Sequence, residues 1–103
     1  MHVQIVTFTL GNLSEDDYLS SANDVAGAFS SQGGLSAKVW LERPEDGTYG
    51  AIYLWRDKES MERFLRSDLF EGNNSELQDV TSQDYSILNN LTKKTQPELE
   101  LIS

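Results

Sequence analysis

Residues 2–10 alternate strictly. Val3, Ile5, Thr7 and Thr9 fall on one side, and His2, Gln4, Val6, Phe8 and Leu10 on the other. A period of two over this length predicts a strand with apolar residues on both faces. The pattern then changes. Tyr18, Ala22, Val25, Ala26 and Phe29 recur at helical spacing on one face. Ser14 stands at the N-cap position with Asp17 three residues on, a capping-box variant, and Leu13 and Tyr18 occupy the hydrophobic-staple positions. The acidic run Glu15-Asp16-Asp17 suits the positive end of the helix dipole; its carboxylates diverge around the helix, which disfavours a metal site. Gly33-Gly34 is expected to stop this helix.

Alternation resumes at Leu35. Leu35, Ala37, Val39 and Leu41 form one face of a second strand over residues 35–43, and Ser36, Lys38, Trp40 and Glu42 the other. Asp46-Gly47 supplies a hairpin turn, and Pro44 is excluded from an interior ladder position. A third strand runs from Thr48 to about Arg56, with Ala51, Tyr53 and Trp55 on one face and Ile52 and Leu54 on the other. Asp57 is placed to cap a second helix that turns Met61, Phe64 and Leu65 inward, with a further turn around Leu69-Phe70 before the Gly-Asn-Asn run breaks it. A polar segment near Leu77–Tyr85 is expected to form a fourth strand. A short helix around Ile87–Leu91 and an alternating tail, "ELELI", follow.

The order β-α-β-β-α-β predicts an α+β, ferredoxin-like fold with an antiparallel four-stranded sheet. One domain over residues 1–103 is expected, with a core of about 2–92 and a C-terminal tail at 93–103. Two helices cover one sheet face, yet both faces of the first three strands are apolar. The second face therefore predicts a homodimer with sheets packed face to face.

Composition narrows the function. The net charge of −9 argues against nucleic acid and anionic membranes, which need a basic footprint. With no cysteine, disulfide and thiolate chemistry are excluded. The single histidine excludes multi-histidine metal centres. "SQGGLS" lies between helix and strand and so is read as a helix end rather than a phosphate loop. The opening "MHVQIVTFTL" lacks a basic region and alternates at once, so it reads as a strand rather than a secretion signal. A cytoplasmic setting is expected, and the sequons at Asn12, Asn73 and Asn90 carry no weight.

The stretch "YLWRDKESMERFLRSDLF" (Tyr53 to Phe70), with "KVW" (Lys38–Trp40) before it, resembles the antibiotic-biosynthesis-monooxygenase type of dimeric α+β barrel, and within it the YdhR-like monooxygenase family. The shared pattern is a strand ending in Trp55, then Asp57 and Glu59 opening a helix that leads to Ser67 and Phe70. The resemblance implies a dimeric α+β barrel. It also implies a cofactor-independent monooxygenase acting on a small aromatic or polyketide-like compound, since quinone-forming relatives need neither metal nor cofactor. Those relatives place an Asn, a Trp and a Tyr on this strand–helix unit; the positions fall at Ala51, Trp55 and Met61 here. Haem-degrading relatives add a Trp and a haem-ligating His, whose positions fall at Phe64 and Asn74. Asn is a poor axial ligand, so haem is not expected.

The candidate catalytic groups are then Trp55, which can stack on or donate to a flat substrate, Tyr53 on the same strand face, and His2, the residue that titrates near neutrality. His2 is also read as partly exposed at a frayed end. Trp40, Phe8, Met61, Phe64 and Phe70 are the candidate substrate-binding residues. Trp40, Tyr53 and Trp55 together form an aromatic wall that either lines a pocket or centres the dimer interface, the interface being favoured. Packing under the helix start is the competing role of Trp55. Arg43 and Arg56 are read as surface partners of Glu42 and Asp57. A non-enzymatic small-molecule-binding dimer, or a cyclase or isomerase on the same scaffold, are the alternative functions.

Overall fold

The computed structural model describes residues 1–67, 70 and 77–98. Its elements run β1 (His2–Thr9), α1 (Glu15–Ser30), β2 (Leu35–Arg43), β3 (Thr48–Trp55), α2 (Lys58–Leu65), β4 (Gln78–Ser86) and α3 (Asn89–Thr95). The strands form one antiparallel sheet in the order β2-β3-β1-β4, the ferredoxin-like arrangement.

Local chemistry sets the boundaries. The Ser14 hydroxyl accepts from the Asp17 amide at 3.1 Å, and the Asp57 carboxylate accepts from the Ser60 amide at 2.8 Å. Each satisfies an amide that the first helical turn leaves without an intrahelical partner. The hairpin between β2 and β3 turns at Gly47 with φ +70°, and the Asp46 carboxylate accepts from the Thr48 amide. The first helix ends three residues before the expected Gly33-Gly34: the Ser31 amide turns back to the Ala28 carbonyl at 3.2 Å and the Gln32 amide to the Phe29 carbonyl at 3.0 Å. Gly34 has a different task. Its φ is +82°, its carbonyl accepts from the Arg56 amide at 2.7 Å, and an added Cβ would overlap the Ser60 side chain. Gly34→Ala is therefore expected to destabilise the fold by about 1–3 kcal/mol, through combined backbone strain and overpacking; urea unfolding checks this.

The core lies between the helices and one sheet face. Val6 and Phe8 of β1, Tyr49, Ala51, Tyr53 and Trp55 of β3, Tyr18 and Phe29 of α1, and Met61 and Phe64 of α2 are buried there. On α1 the apolar face is only partly used. Val25 packs against the core, while Ala26 is exposed beside an open groove. Beyond α2, the Ser67 hydroxyl donates to the Phe64 carbonyl at 2.6 Å and accepts from the Phe70 amide at 3.3 Å. Phe70 is thereby set edge-on to Phe64, ring centroids 5.3 Å apart. The remainder of the expected turn at Leu69, the Gly-Asn-Asn run and the "ELELI" tail lie outside the described residues, apart from Glu98.

The fourth strand forms one residue later than expected, at the edge of the sheet beside β1, with every side chain exposed. The last helix spans Asn89–Thr95 rather than residues 87–91, and none of its residues is buried. The face away from the helices carries Val3, Ile5, Ile52, Leu54, Val39 and Leu41, placed side by side by the register Ile5↔Ile52↔Val39. Nothing in the chain's described residues covers that face; Val39 is 55% exposed and Tyr85 51%.

Candidate functional site

Register decides which residues meet. Across the helix-covered face, Lys38, Tyr53, Gln4 and Asp84 lie in one row, and Trp40, Ala51, Val6 and Ser82 in the next. The aromatic wall therefore faces α1 and α2. This corrects the preferred expectation that Trp40, Tyr53 and Trp55 centre a sheet-to-sheet interface: they occupy the opposite face from Val39, Ile52 and Ile5. Trp40 meets Phe29 of α1 edge-on, centroids 5.7 Å apart, and Tyr53 contacts both Phe29 and Phe64.

These side chains enclose a small inner cavity of about 10 Å³, whose walls include Phe8, Trp40, Tyr53, Phe64 and Phe70. Five residues singled out from the sequence thus share one cavity wall. As the side chains stand, the space is about one water in size. Two open grooves flank it. One of about 380 Å³ lies between α1 and β2 and is lined by Tyr18, Ala22, Trp40 and Tyr49, among others. The other, of about 310 Å³, is lined by Phe29, Leu35, Lys38 and Trp40, among others. Both are within the size range of small-molecule sites, and Trp40 and Lys38 form the partition between groove and cavity.

Trp55, His2 and Met61 do not line the cavity. Trp55 is completely buried and stacked on Tyr53, with centroids 5.8 Å apart and planes 5° from parallel. Its indole N–H donates to the Gln4 side-chain carbonyl at 2.9 Å. An indole has one donor, and here it is engaged. Gln4 in turn donates to the Ser82 hydroxyl at 3.0 Å, so a buried polar relay ties β3 through β1 to β4. Trp55 is therefore stacked beneath Tyr53, outside the cavity wall.

His2 is not frayed. It is 6% exposed, hydrogen-bonded into the sheet between Trp55 and Ser86, and its ring contacts the Asp84 carboxylate at 2.5 Å. The β-ladder on both sides of residue 2 holds it in place. Met61 is buried on α2. Arg43 pairs with Asp46 at 3.0 Å instead of Glu42. The Asp57 carboxyl is held below its usual range chiefly by the hydrogen bonds of its cap at Ser60, with Arg63 and Arg56 adding smaller effects.

Sequence reasoning passed over Lys38, Gln4 and Phe29. The Lys38 amine lies 3.0 Å from the centroid of the Phe29 ring, 3.6 Å from that of Trp40 and 4.6 Å from that of Tyr53. Burial lowers its pKa to about 7. The ring faces act in the opposite direction, since they stabilise the charged form. Burial also raises the pKa of Tyr53 and of Tyr18, so both remain hydroxyl donors at neutral pH. The Tyr53 hydroxyl hydrogen-bonds to no described residue. Tyr49 differs: its hydroxyl donates to Glu15 at 2.5 Å, and this bond is the main cause that lifts its pKa to about 12.

Among the described residues no cluster of histidine and carboxylate side chains is arranged to hold a metal ion. No helix among them is long and apolar enough to cross a membrane.

Comparison with known proteins places this geometry in a family. The family model described as "Putative mono-oxygenase ydhR" matches residues 3–98. A search of curated proteins returned no match. Among solved structures, SnoaB, a cofactor-independent oxygenase from Streptomyces nogalater, superposes with a TM-score of 0.67 at 23% identity, covering 84% of this chain and 92% of that one. An antibiotic biosynthesis monooxygenase superposes with a TM-score of 0.71 at 15% identity, covering 85% of this chain and 99% of that one. PA3566 from Pseudomonas aeruginosa superposes with a TM-score of 0.66 at 20% identity, covering 84% and 93%. At these identities the superpositions establish a shared fold.

Proposed function

The chain belongs to the ydhR mono-oxygenase family, and from that membership we propose that it oxygenates a small, planar, electron-rich aromatic compound without a cofactor. The observation that carries the reading is the largely aromatic cavity wall of Phe8, Trp40, Tyr53, Phe64 and Phe70, completed by Tyr18 and Lys38, with a Tyr53 hydroxyl donor that hydrogen-bonds to no described residue. Such a wall suits a flat ring and one developing negative charge.

The chemistry asks little else of the protein. A phenol or enol, once deprotonated, supplies four electrons to dioxygen. One oxygen atom becomes a new carbonyl and the other leaves as water. Tyr53 donates to the substrate oxygen or to the reduced oxygen species, and the aromatic rings orient the substrate and exclude water. SnoaB, similar in fold, is described as a cofactor-independent oxygenase, which fits this reading. Substrate entry requires Lys38 and Trp40 to move from the partition, which a flexible lysine stem and an edge-strand residue can do. His2 has no part in the reaction: its ring is tied to Asp84 away from the cavity.

A dioxygen electrode tests the reading. With an anthrone or 1,5-dihydroxynaphthalene, one dioxygen is consumed per quinone formed, one of its atoms appearing as the new carbonyl, and uptake is undiminished by a metal chelator. No uptake above the uncatalysed rate with either compound overturns it and favours a ligand-binding role.

The partner belongs to the same reading. The face away from the helices lines up six aliphatic side chains, Val3, Ile5, Ile52, Leu54, Val39 and Leu41, so two copies pack through it, with residues 1–103 of each acting as one unit in a cytoplasmic setting. Sedimentation at micromolar concentration should give twice the chain mass of 11.6 kDa. A monomeric mass contradicts the dimer.

A further inference from the structure

We propose that Lys38 is the general base of this site, its amine taking the proton from the hydroxyl of a bound planar phenol or enol. The proposal rests on the oxygenase reading above. That reading requires a base, and neither Tyr53 nor the engaged indole of Trp55 can serve as one at neutral pH.

Three observations place Lys38 there. It lies directly opposite Tyr53 in the β2–β3 register. It forms part of the wall of both the inner cavity and the groove lined by Phe29 and Leu35, so a ligand passing from one to the other meets it. Its amine rests on the rings of Phe29, Trp40 and Tyr53, and among the described residues no carboxylate forms an ion pair with it.

A solvated surface lysine is permanently charged and cannot accept a proton at neutral pH. Burial in an apolar box without a counter-ion is the ordinary way a lysine becomes a base. The other titratable groups on these walls are Tyr18 from α1 and Tyr53 from β3 in the cavity, and Tyr18, Tyr49 from β3 and Glu42 from β2 in the larger groove. The three phenols are neutral at pH 7, and Glu42 lines the groove whose wall does not include Lys38.

The step balances simply. The substrate O–H bond breaks, its electron pair stays on the substrate oxygen, and the proton forms a third N–H bond on the Lys38 nitrogen. The resulting ammonium stands beside the phenolate and lowers its energy. The Tyr53 hydroxyl donates to the same oxygen. Dioxygen then takes electrons from the phenolate as described above.

The experiment compares wild type, Lys38→Met and Lys38→Arg by dioxygen uptake across pH 5–9. Met keeps the apolar packing without the amine, and Arg keeps a charge that does not deprotonate. Both variants are expected to lose roughly 10²-fold or more in kcat with a phenol that is neutral at the assay pH. With an electron-rich phenol assayed above its own pKa, and so already ionised, the loss should shrink to within about threefold. The acid limb of the wild-type kcat profile should vanish in Lys38→Met. Folding stability gives a second readout that does not depend on turnover. A depressed lysine pKa means that the unfolded chain binds the extra proton between about pH 7 and pH 10. Wild-type stability should therefore rise with pH across that window, and Lys38→Met should lack the rise.

An active wild type with a fully active Lys38→Met overturns the base assignment and leaves the oxygenase reading standing. Equal losses with neutral and ionised substrates overturn it too, by showing a structural role. A wild type that consumes no dioxygen overturns both.

Discussion

Tyr53→Phe lowers the turnover of an oxidisable dihydroxyaromatic by about 10²–10³-fold and leaves the melting temperature within a few degrees of wild type. The two halves of that expectation have different causes. The rate falls because the hydroxyl is the donor placed to meet negative charge as it develops on oxygen, and removing one such donor from a water-poor site typically costs this much. The fold survives because Phe fills the same space and keeps the contacts with Phe29, Phe64 and Trp55. No described residue loses a hydrogen-bond partner. A KM that rises while kcat is unchanged would assign Tyr53 to binding alone, and unchanged steady-state kinetics would remove it from the reaction.

Trp55→Ala should have the larger effect on stability. The indole is completely buried against Tyr53 and Phe64, and its N–H satisfies Gln4. Removing a buried aromatic of this size costs about 3–5 kcal/mol. Leaving the Gln4 carbonyl without its donor adds to that in the same direction. A domain of this length has a total of about 5–15 kcal/mol to lose. The melting temperature should drop by about 15–30 °C. Trp55→Phe separates the contributions: it restores most of the packing but not the donor, and should cost about 1–3 kcal/mol. Differential scanning calorimetry on both variants checks this. If Trp55→Phe is as stable as wild type, the relay through Gln4 and Ser82 contributes nothing to the fold.

Much of this was legible in the sequence, and the reasons are specific. The boundaries of β2 and β3 follow from clean alternation on either side of Asp46-Gly47, a local signal that tertiary contacts do not override. The caps at Ser14 and Asp57 are likewise local. Alternation shows that both sheet faces are apolar, but it does not say which one the helices cover. Only the pairing of Trp40 with Ala51 settles that the aromatic wall lies inside and that Val39, Ile5 and Ile52 lie outside. The fourth strand is polar throughout because it is an edge strand with no buried face, so periodicity had little to read.

The candidate site was half visible for a related reason. Aromatic residues announce themselves: Phe8, Trp40 and Tyr53 stand out by strand alternation and Phe64 by helical spacing, while Phe70 follows from the family resemblance. Gln4 and Lys38 look like solvent-facing positions on their strands. Gln4 is buried because the Trp55 indole and the Ser82 hydroxyl satisfy its amide. Lys38 is half-buried because three rings receive its ammonium. Both share a sheet face with aromatic residues, and that was the signal available: a polar side chain alternating in phase with Trp40 on one strand, or with Val6 and Phe8 on another. His2 was misjudged because its position suggests fraying, whereas β3 and β4 pair with it on both sides.

The central claim is that a planar aromatic ligand binds inside the helix-covered face, against Trp40 and Tyr53. The chain has two tryptophans, so the indole N–H region of a nitrogen-15 spectrum contains two signals, one for each. Titration with 1,4-dihydroxynaphthalene under argon should move the Trp40 signal strongly. The backbone amides of Phe8, Ala51, Tyr53 and Phe64 should move with it, while those of Ile5, Val39 and Ile52 stay in place. Shifts confined to Ile5, Val39 and Ile52, with both indole signals unmoved, would put the ligand on the opposite face of the sheet and contradict the account.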